Sequence, residues 1–366
     1  MDMVITHMSA LELLRLPDAA VSLAPASDTP RIPTCIPSAS ELTVKREWLA
    51  AVGYAQRRLE LLVSDPASRV RAKDIWTHTQ QEALPASSFV HVDNGVWVVS
   101  PEHLCVQLAP ALTRVELLVL LGELLGTYAL HERGICSRPA SLMTAESLSS
   151  HLDALGDFRG AREVRDALTH APLNSASPME TKLFLRISLP YRLGGYALPV
   201  QALNERVEVE RIGEAGRLGE RRPDIMLLPG NGATADCAFV AIEYDGEVHL
   251  TRARQAADQR RSNEILACGG REYRVNKELY DDLAYMDELI GRVARDLGRK
   301  PSRVTLAVGE KRRRLRGELK RELDLIDGIS WNGKERGREQ AHAAGDAPAM
   351  DDVVMDERVP LDVYWF

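Results

Sequence analysis

The order of apolar and polar residues changes character several times along the chain. "ELTVKREWLAAVGYAQRRLELLV", from Glu41, repeats its apolar positions at helical spacing. In "SFVHVDNGVWVVS" (88–100) two alternating runs flank Asp93-Asn94-Gly95, and the Asn-Gly step suits a tight hairpin turn. "SPEHLCVQLAPAL" and "VELLVLLGELLGTYAL" (115–130) then read as helices, and charged helical sequence continues to Ala171. Before all of these, residues 17–40 hold five prolines among small residues. Residues 1–40 are therefore expected to be a flexible arm or linker.

A second regime begins near residue 173. Ser177, with Pro178 next and Glu180 three residues on, has the signature of a capped helix start. "VQALNERVEVERI" alternates as a strand, and "PDIMLLP" (223–229) and "AFVAIEYDG" (238–246) are short strands. "RARQAADQRRSNEILACGG" is a helix stopped by glycines, "REYRV" a strand and "LAYMDELIGRVARDL" a last amphipathic helix. The order is αβββαβα. The expected architecture is α/β (α+β). A mainly helical domain with one β-hairpin (41–172) precedes an αβββαβ domain (173–298). A basic helix and a mobile acidic tail (299–366) complete the chain.

Composition adds limits. Of the 366 residues 45% are hydrophobic and 27% charged, as in an ordinary globular protein. The longest apolar run contains Glu123 and is too short to span a membrane. "MDMVITHMSALELLRL" has no basic leader and carries Glu12 and Arg15, so no signal peptide is expected. Cysteines 35, 105, 136, 237 and 268 are scattered and form no C-x-x-C pair. Reduced thiols in the cytoplasm are expected, without a disulfide framework or a zinc site. Residues 1–172 carry 15 basic and 20 acidic side chains, and 173–298 carry 17 and 20. Neither has the surplus of a protein that binds nucleic acid mainly by neutralising phosphates. Only 299–321, with 10 basic and 2 acidic residues, does. "KRRRLRGELKREL" (311–323) could touch nucleic acid, but a solvated basic helix is the plainer reading.

One stretch breaks the apolar pattern. Val240-Ala241-Ile242 runs directly into Glu243, Asp245, Glu247 and His249. Alternate residues of a strand share a face, so Glu243 and Asp245 point together. Were the strand paired with the one that begins after Asp224, two carboxylates about 5 Å apart would repel by about 3 kcal/mol at an effective dielectric of 20. Solvent, raised pKa values, an arginine or a divalent cation must offset this. Carboxylate oxygens suit Mg²⁺ or Mn²⁺.

These residues, "PD" at 223–224, "E-x-D-G-x-x-H" at 243–249 and "D-x-x-R" at 258–261, resemble the very-short-patch-repair-endonuclease-like branch of the PD-(D/E)XK nuclease superfamily. The resemblance covers about 178–298. It implies a restriction-endonuclease-like αβββαβ core that hydrolyses phosphodiester bonds in DNA with Mg²⁺ (or Mn²⁺). Asp224 and Glu243 would be metal ligands, with the main-chain carbonyl of Tyr244 a third, and Glu180 would approach through water. His249 would lie near the phosphate, and Asp258 and Arg261 would face the site. The superfamily's usual lysine is Asp245 here, which leaves the group that activates water open.

Each residue also has a plainer role. Glu180 can serve only the helix cap, Asp224 a turn, Glu243 and Asp245 a solvated edge, and Asp258 with Arg261 a helix ion pair. No phosphate-binding loop and no nucleophile elbow is present, so neither a nucleotide cofactor nor acyl transfer is expected. The N-terminal part, around "LPASSFVHVDNGVWVVSPEHLCVQLA", is similar to abortive-infection antitoxin-type regulators. Three classes follow: a metal-dependent DNA endonuclease, a DNA-binding regulator whose nuclease-like domain does not cut, and an interaction protein of a defence or mobile-element system.

Overall fold

The computed structural model describes residues 1–16, 30–54, 58–93, 95–131, 134–212, 217–230, 235–246, 252–299, 304–331 and 333–335. In chain order the N-terminal half contains β1 (Met3–Ile5), α1 (His7–Leu14), α2 (Ala39–Ala51), β2 (Leu59–Val63), β3 (Ile75–Thr79), β4 (Phe89–Asp93) and β5 (Val96–Val99). There follow α3 (Pro101–Leu108), α4 (Arg114–Leu124), the hairpin β6 (Tyr128–His131) and β7 (Gly134–Ser137), α5 (Ala145–Leu155) and α6 (Ala161–Leu168).

Helices hold more of this half's residues than strands do, but it carries far more sheet than the one hairpin expected. Its centre is a five-stranded mixed sheet in the order β3-β2-β1-β5-β4. The expected hairpin is there as β4 and β5, antiparallel, with Gly95 at positive φ in the turn. The arm expected over 1–40 is overturned for its first residues. Met3, Val4 and Ile5 are buried, and β1 lies between β2 and β5 as the middle strand of the sheet. A three-residue apolar strand is too short to show a period. "LELLV", expected to close a helix, is β2, with all five residues buried. A continuous apolar run fits a buried strand and a buried helix equally well.

The second half contains α7 (Pro178–Ser188), β8 (Ala202–Leu203), β9 (Val207–Glu210), β10 (Leu218–Arg221), β11 (Ile225–Leu227), β12 (Phe239–Asp245), α8 (Arg252–Ala267), β13 (Gly270–Asn276), α9 (Lys277–Asp281), α10 (Leu283–Asp296) and α11 (Leu306–Leu325). The sheet order is β13-β12-β11-β8. β8, β11 and β12 are antiparallel neighbours, and β13 runs parallel to β12 after the α8 crossover. Within the expected "VQALNERVEVERI" strand the chain turns at Asn204, which adopts a positive φ. Its second part, β9, pairs with β10 as a separate ribbon.

Helix α7 serves both cores. Leu185 and Leu189 join the N-terminal cluster, while Leu183 and Ile187 pack under the four-stranded sheet. Helix α11 also joins the two halves, contrary to the solvated helix expected. Leu319, Leu323 and Ile326 enter the N-terminal core. On its basic side Arg312 stacks on Tyr191, Arg316 pairs with Asp287 at 2.7 Å and Lys320 with Asp281 at 3.0 Å. The four-residue spacing of these three puts them on one face.

Beyond α11 the chain returns to the first helices. The Gly328 carbonyl accepts from Arg15 Nη2 at 2.7 Å, and the Gly333 N–H donates to Glu116 Oε1 at 3.0 Å. Arg15 and Glu123 form a bidentate pair at 2.8 and 2.6 Å with both side chains sealed from solvent. Within the tail expected to be mobile, residues 328–335 are therefore docked, apart from residue 332, which lies outside the described residues. Residues 336–366, including the apolar end "PLDVYWF", also lie outside the described residues. Among the described residues no helix is long and apolar enough to cross a membrane.

Candidate active site

The site grows from the pairing of β11 with β12. Ile225 lies opposite Ile242, so one step along the antiparallel register places Asp224 opposite Glu243. Side chains opposite each other in such a pair share a face, with Cβ atoms about 4.5–5.5 Å apart. Asp224 Oδ2 accepts the Tyr244 N–H at 2.7 Å, which anchors one carboxylate oxygen to the neighbouring strand. Val240, Ala241 and Ile242 are fully buried, so β12 is a central strand whose last residues emerge at the sheet's end.

Glu180, in the first turn of α7, comes to the same place. Its N–H is capped by Ser177 Oγ at 3.1 Å, while its Oε2 accepts from the Ala176 N–H at 2.8 Å and from Asn204 Nδ2 at 2.7 Å. It is thus both a cap residue and a neighbour of Asp224. Burial and the Glu180 carboxylate raise the pKa of Asp224, against the Tyr244 N–H and Arg261. Burial and Asp224 raise Glu243, against Arg261. Three carboxylates thus crowd a site where proton uptake, an arginine or a cation must balance their charge.

Arg261, on α8, supplies part of that balance. Its Nη2 pairs with Glu243 at 2.9 Å and donates to the Arg222 carbonyl at 2.6 Å. Asp245 is half exposed, and Arg274 Nη1 on β13 stands 3.7 Å from it. Arg274 also donates to Glu272 Oε1 at 2.7 Å. Of the expected residues, Glu180, Asp224, Glu243, Tyr244, Asp245 and Arg261 therefore meet at one end of the sheet. His249 lies outside the described residues, as does the side chain of Asp258 on α8.

Three participants escaped the sequence reading. Asn204 bonds Glu180, and its N–H reaches the Pro223 carbonyl at 3.0 Å, so it ties α7 to the loop that carries Asp224. Arg274 is adjacent to Glu243 across the β12–β13 ladder. Arg221 pairs with buried Glu264, which follows Arg261 by three residues on α8. Only Asn204 carried a local signal, an asparagine at a strand end where a positive φ is tolerated.

Comparison of the chain with protein-family models, with curated proteins and with solved structures returned no match.

Proposed function

We propose that the chain is a metal-dependent endonuclease that hydrolyses phosphodiester bonds in DNA. One observation carries the reading: Asp224 and Glu243 face each other across β11–β12, with Glu180 beside them, at the end of the four-stranded β13-β12-β11-β8 sheet. Clustered, largely buried carboxylates with raised pKa values destabilise the fold when ionised unless a proton, an arginine or a metal cation neutralises them. An all-oxygen donor set fits magnesium or manganese. Glu180, Asp224 and Glu243 would hold the ion, each having lone pairs beyond those already engaged. When bound, such an ion supplies an acidified water and charge stabilisation at the phosphoryl oxygens.

The chain's own groups do the positioning. Tyr244 N–H fixes the Asp224 carboxylate, and Asn204 and Ala176 hold Glu180. Arg261 and Arg274 bring guanidinium groups to the carboxylates, and guanidinium matches phosphate oxygens as well as carboxylate oxygens. Asp245 stands where the resemblance would place a lysine, which leaves proton transfer to another group. His249 suits that role by chemistry, since imidazole titrates near neutrality.

Purified protein should nick supercoiled plasmid with Mg²⁺ or Mn²⁺ and stop when EDTA is added. Asp224→Asn and Glu243→Gln should each abolish nicking while keeping the circular-dichroism spectrum. Variants that cut like the parent overturn the proposal. The second reading is a DNA-binding regulator that does not cut, favoured by the lack of a basic surplus and by Asp245. It predicts EDTA-insensitive DNA binding with no product.

A further inference from the structure

We propose a second metal site in the N-terminal half, where His7, Glu60 and His78 hold one zinc-class divalent ion. Their ligand atoms lie within 4.8 Å of one another. His78 Nε2 stands 3.0 Å from Glu60 Oε2, and the rings of His7 and His78 stack at 3.5 Å. Two ligands on a tetrahedral zinc ion are roughly 3.3 Å apart, given bonds of about 2.0–2.1 Å. The two rings are nearly parallel, at 15°, and imidazole lone pairs lie in the ring plane, so binding requires one ring to rotate out of the stack while the ligand atoms close by up to about 1.5 Å. β2 and β3 supply Glu60 and His78 from neighbouring strands, and α1 supplies His7 from its first residue.

Three local features point to a ligand role. His7 has φ +51°, a left-handed conformation that costs a non-glycine residue about 1 kcal/mol or more. Thr6 occupies the N-cap of α1 yet makes no capping bond. A threonine cap contributes about 1 kcal/mol when used. Its hydroxyl instead donates to Gln107 Oε1 at 2.7 Å and lies 3.0 Å from His7 Nδ1. A hydroxyl has one proton, so toward His7 it accepts. Nδ1 therefore carries the ring proton, and Nε2 keeps the lone pair a metal needs. Third, Glu60 is only 5% exposed, so its negative charge lies beside the imidazoles. Arg58 Nη2 reaches Glu60 Oε1 at 3.6 Å, the oxygen opposite the one that faces His78.

Two imidazole nitrogens and one carboxylate oxygen select zinc or a similar transition ion over magnesium. Three protein ligands leave a fourth position for water. The set contains no cysteine, so scattered cysteines are no argument against it. It is remote in sequence from Asp224 and Glu243 and does not depend on their role.

The test uses the full chain, stripped with EDTA and dialysed against Zn²⁺, with bound metal measured by mass spectrometry. A variant carrying Asp224→Asn and Glu243→Gln should retain one equivalent of zinc, and adding His78→Ala should remove it. Co²⁺ in place of Zn²⁺ should give visible d–d absorption that His78→Ala abolishes. Zinc at about 100 times its dissociation constant should raise the melting temperature by roughly 5–10 °C in the carboxylate variant. If His78→Ala does not fold, zinc protection of His7 and His78 from diethylpyrocarbonate decides the matter in the unmutated chain, with Mg²⁺ as the control. No zinc bound by the carboxylate variant, zinc retained after His78→Ala, or no protection would each overturn the site.

Discussion

Replacing Glu243 with glutamine should make the metal-free protein more stable, not less. The register puts the Glu243 and Asp224 side chains on one face. At about 5 Å their repulsion is about 3 kcal/mol at an effective dielectric of 20. Glutamine keeps the shape and removes the charge. Against this gain stands the loss of the Arg261 ion pair, with Arg261 30% exposed. Partly solvated pairs are worth up to about 1 kcal/mol. The net expectation is a stabilisation of about 1–2 kcal/mol, or roughly 3–8 °C in melting temperature for a domain of this size. The gain has a definite pH dependence. The folded pKa of Glu243 is raised, so the wild-type group contributes stability below its unfolded value, which is lost as pH rises through the folded one. Differential scanning fluorimetry in EDTA should show little difference near pH 4 and a growing advantage for Glu243→Gln toward pH 8. Adding Mg²⁺ at pH 8 should raise the wild type alone. A variant that melts below the wild type at pH 8 in EDTA refutes the reasoning.

Arg15→Met should cost about 3–5 kcal/mol, since it leaves Glu123 buried without its bidentate partner, and urea unfolding would read this directly. Asn204→Ala should leave the fold intact but weaken Mg²⁺ binding in calorimetry, because Glu180 loses one of its two anchors. His103 and His151 lie 3.3 Å apart and burial lowers them to about 3 and about 4. The unfolded histidines bind protons more readily, so stability should fall as pH drops below about 6.5, and His103→Leu should flatten that fall in melts between pH 6.5 and 4. Gly122→Ala should destabilise by about 1–3 kcal/mol, because the added methyl group would meet Thr181 Cγ2 at 2.7 Å where α4 crosses α7.

The second half was the more legible in sequence. Its strands are short and bounded by glycine and proline, and its cap at Ser177 is explicit, so α7, β11, β12, α8 and β13 were legible from pattern, whereas the separate β9–β10 ribbon was not. In the first half, β1 is three residues long and β2 is apolar throughout, so neither shows the alternation that marks a strand. The site's supporting groups were hidden for a different reason. Arg274 and Asn204 reach it through long-range pairing and a backbone turn, which no local pattern encodes. His7, Glu60 and His78 are likewise scattered in sequence and meet only because β2 and β3 run parallel beneath the start of α1.

The bond from Arg15 to the Gly328 carbonyl spans 313 residues. On a translating ribosome adding about 5–20 residues per second, Arg15 waits roughly 16–60 s for that acceptor. Throughout this interval the surface that Leu319, Leu323 and Ile326 will cover is bare, and one donor of a sealed guanidinium is unmatched. The N-terminal sheet can collapse early, but its core is completed only when helix α11 arrives. Stalled or truncated chains thus present an apolar patch beside an unsatisfied charge, the kind of surface that chaperones and proteases of the cell engage. Synthesis of helix α11 and completion of the first domain's core become one event.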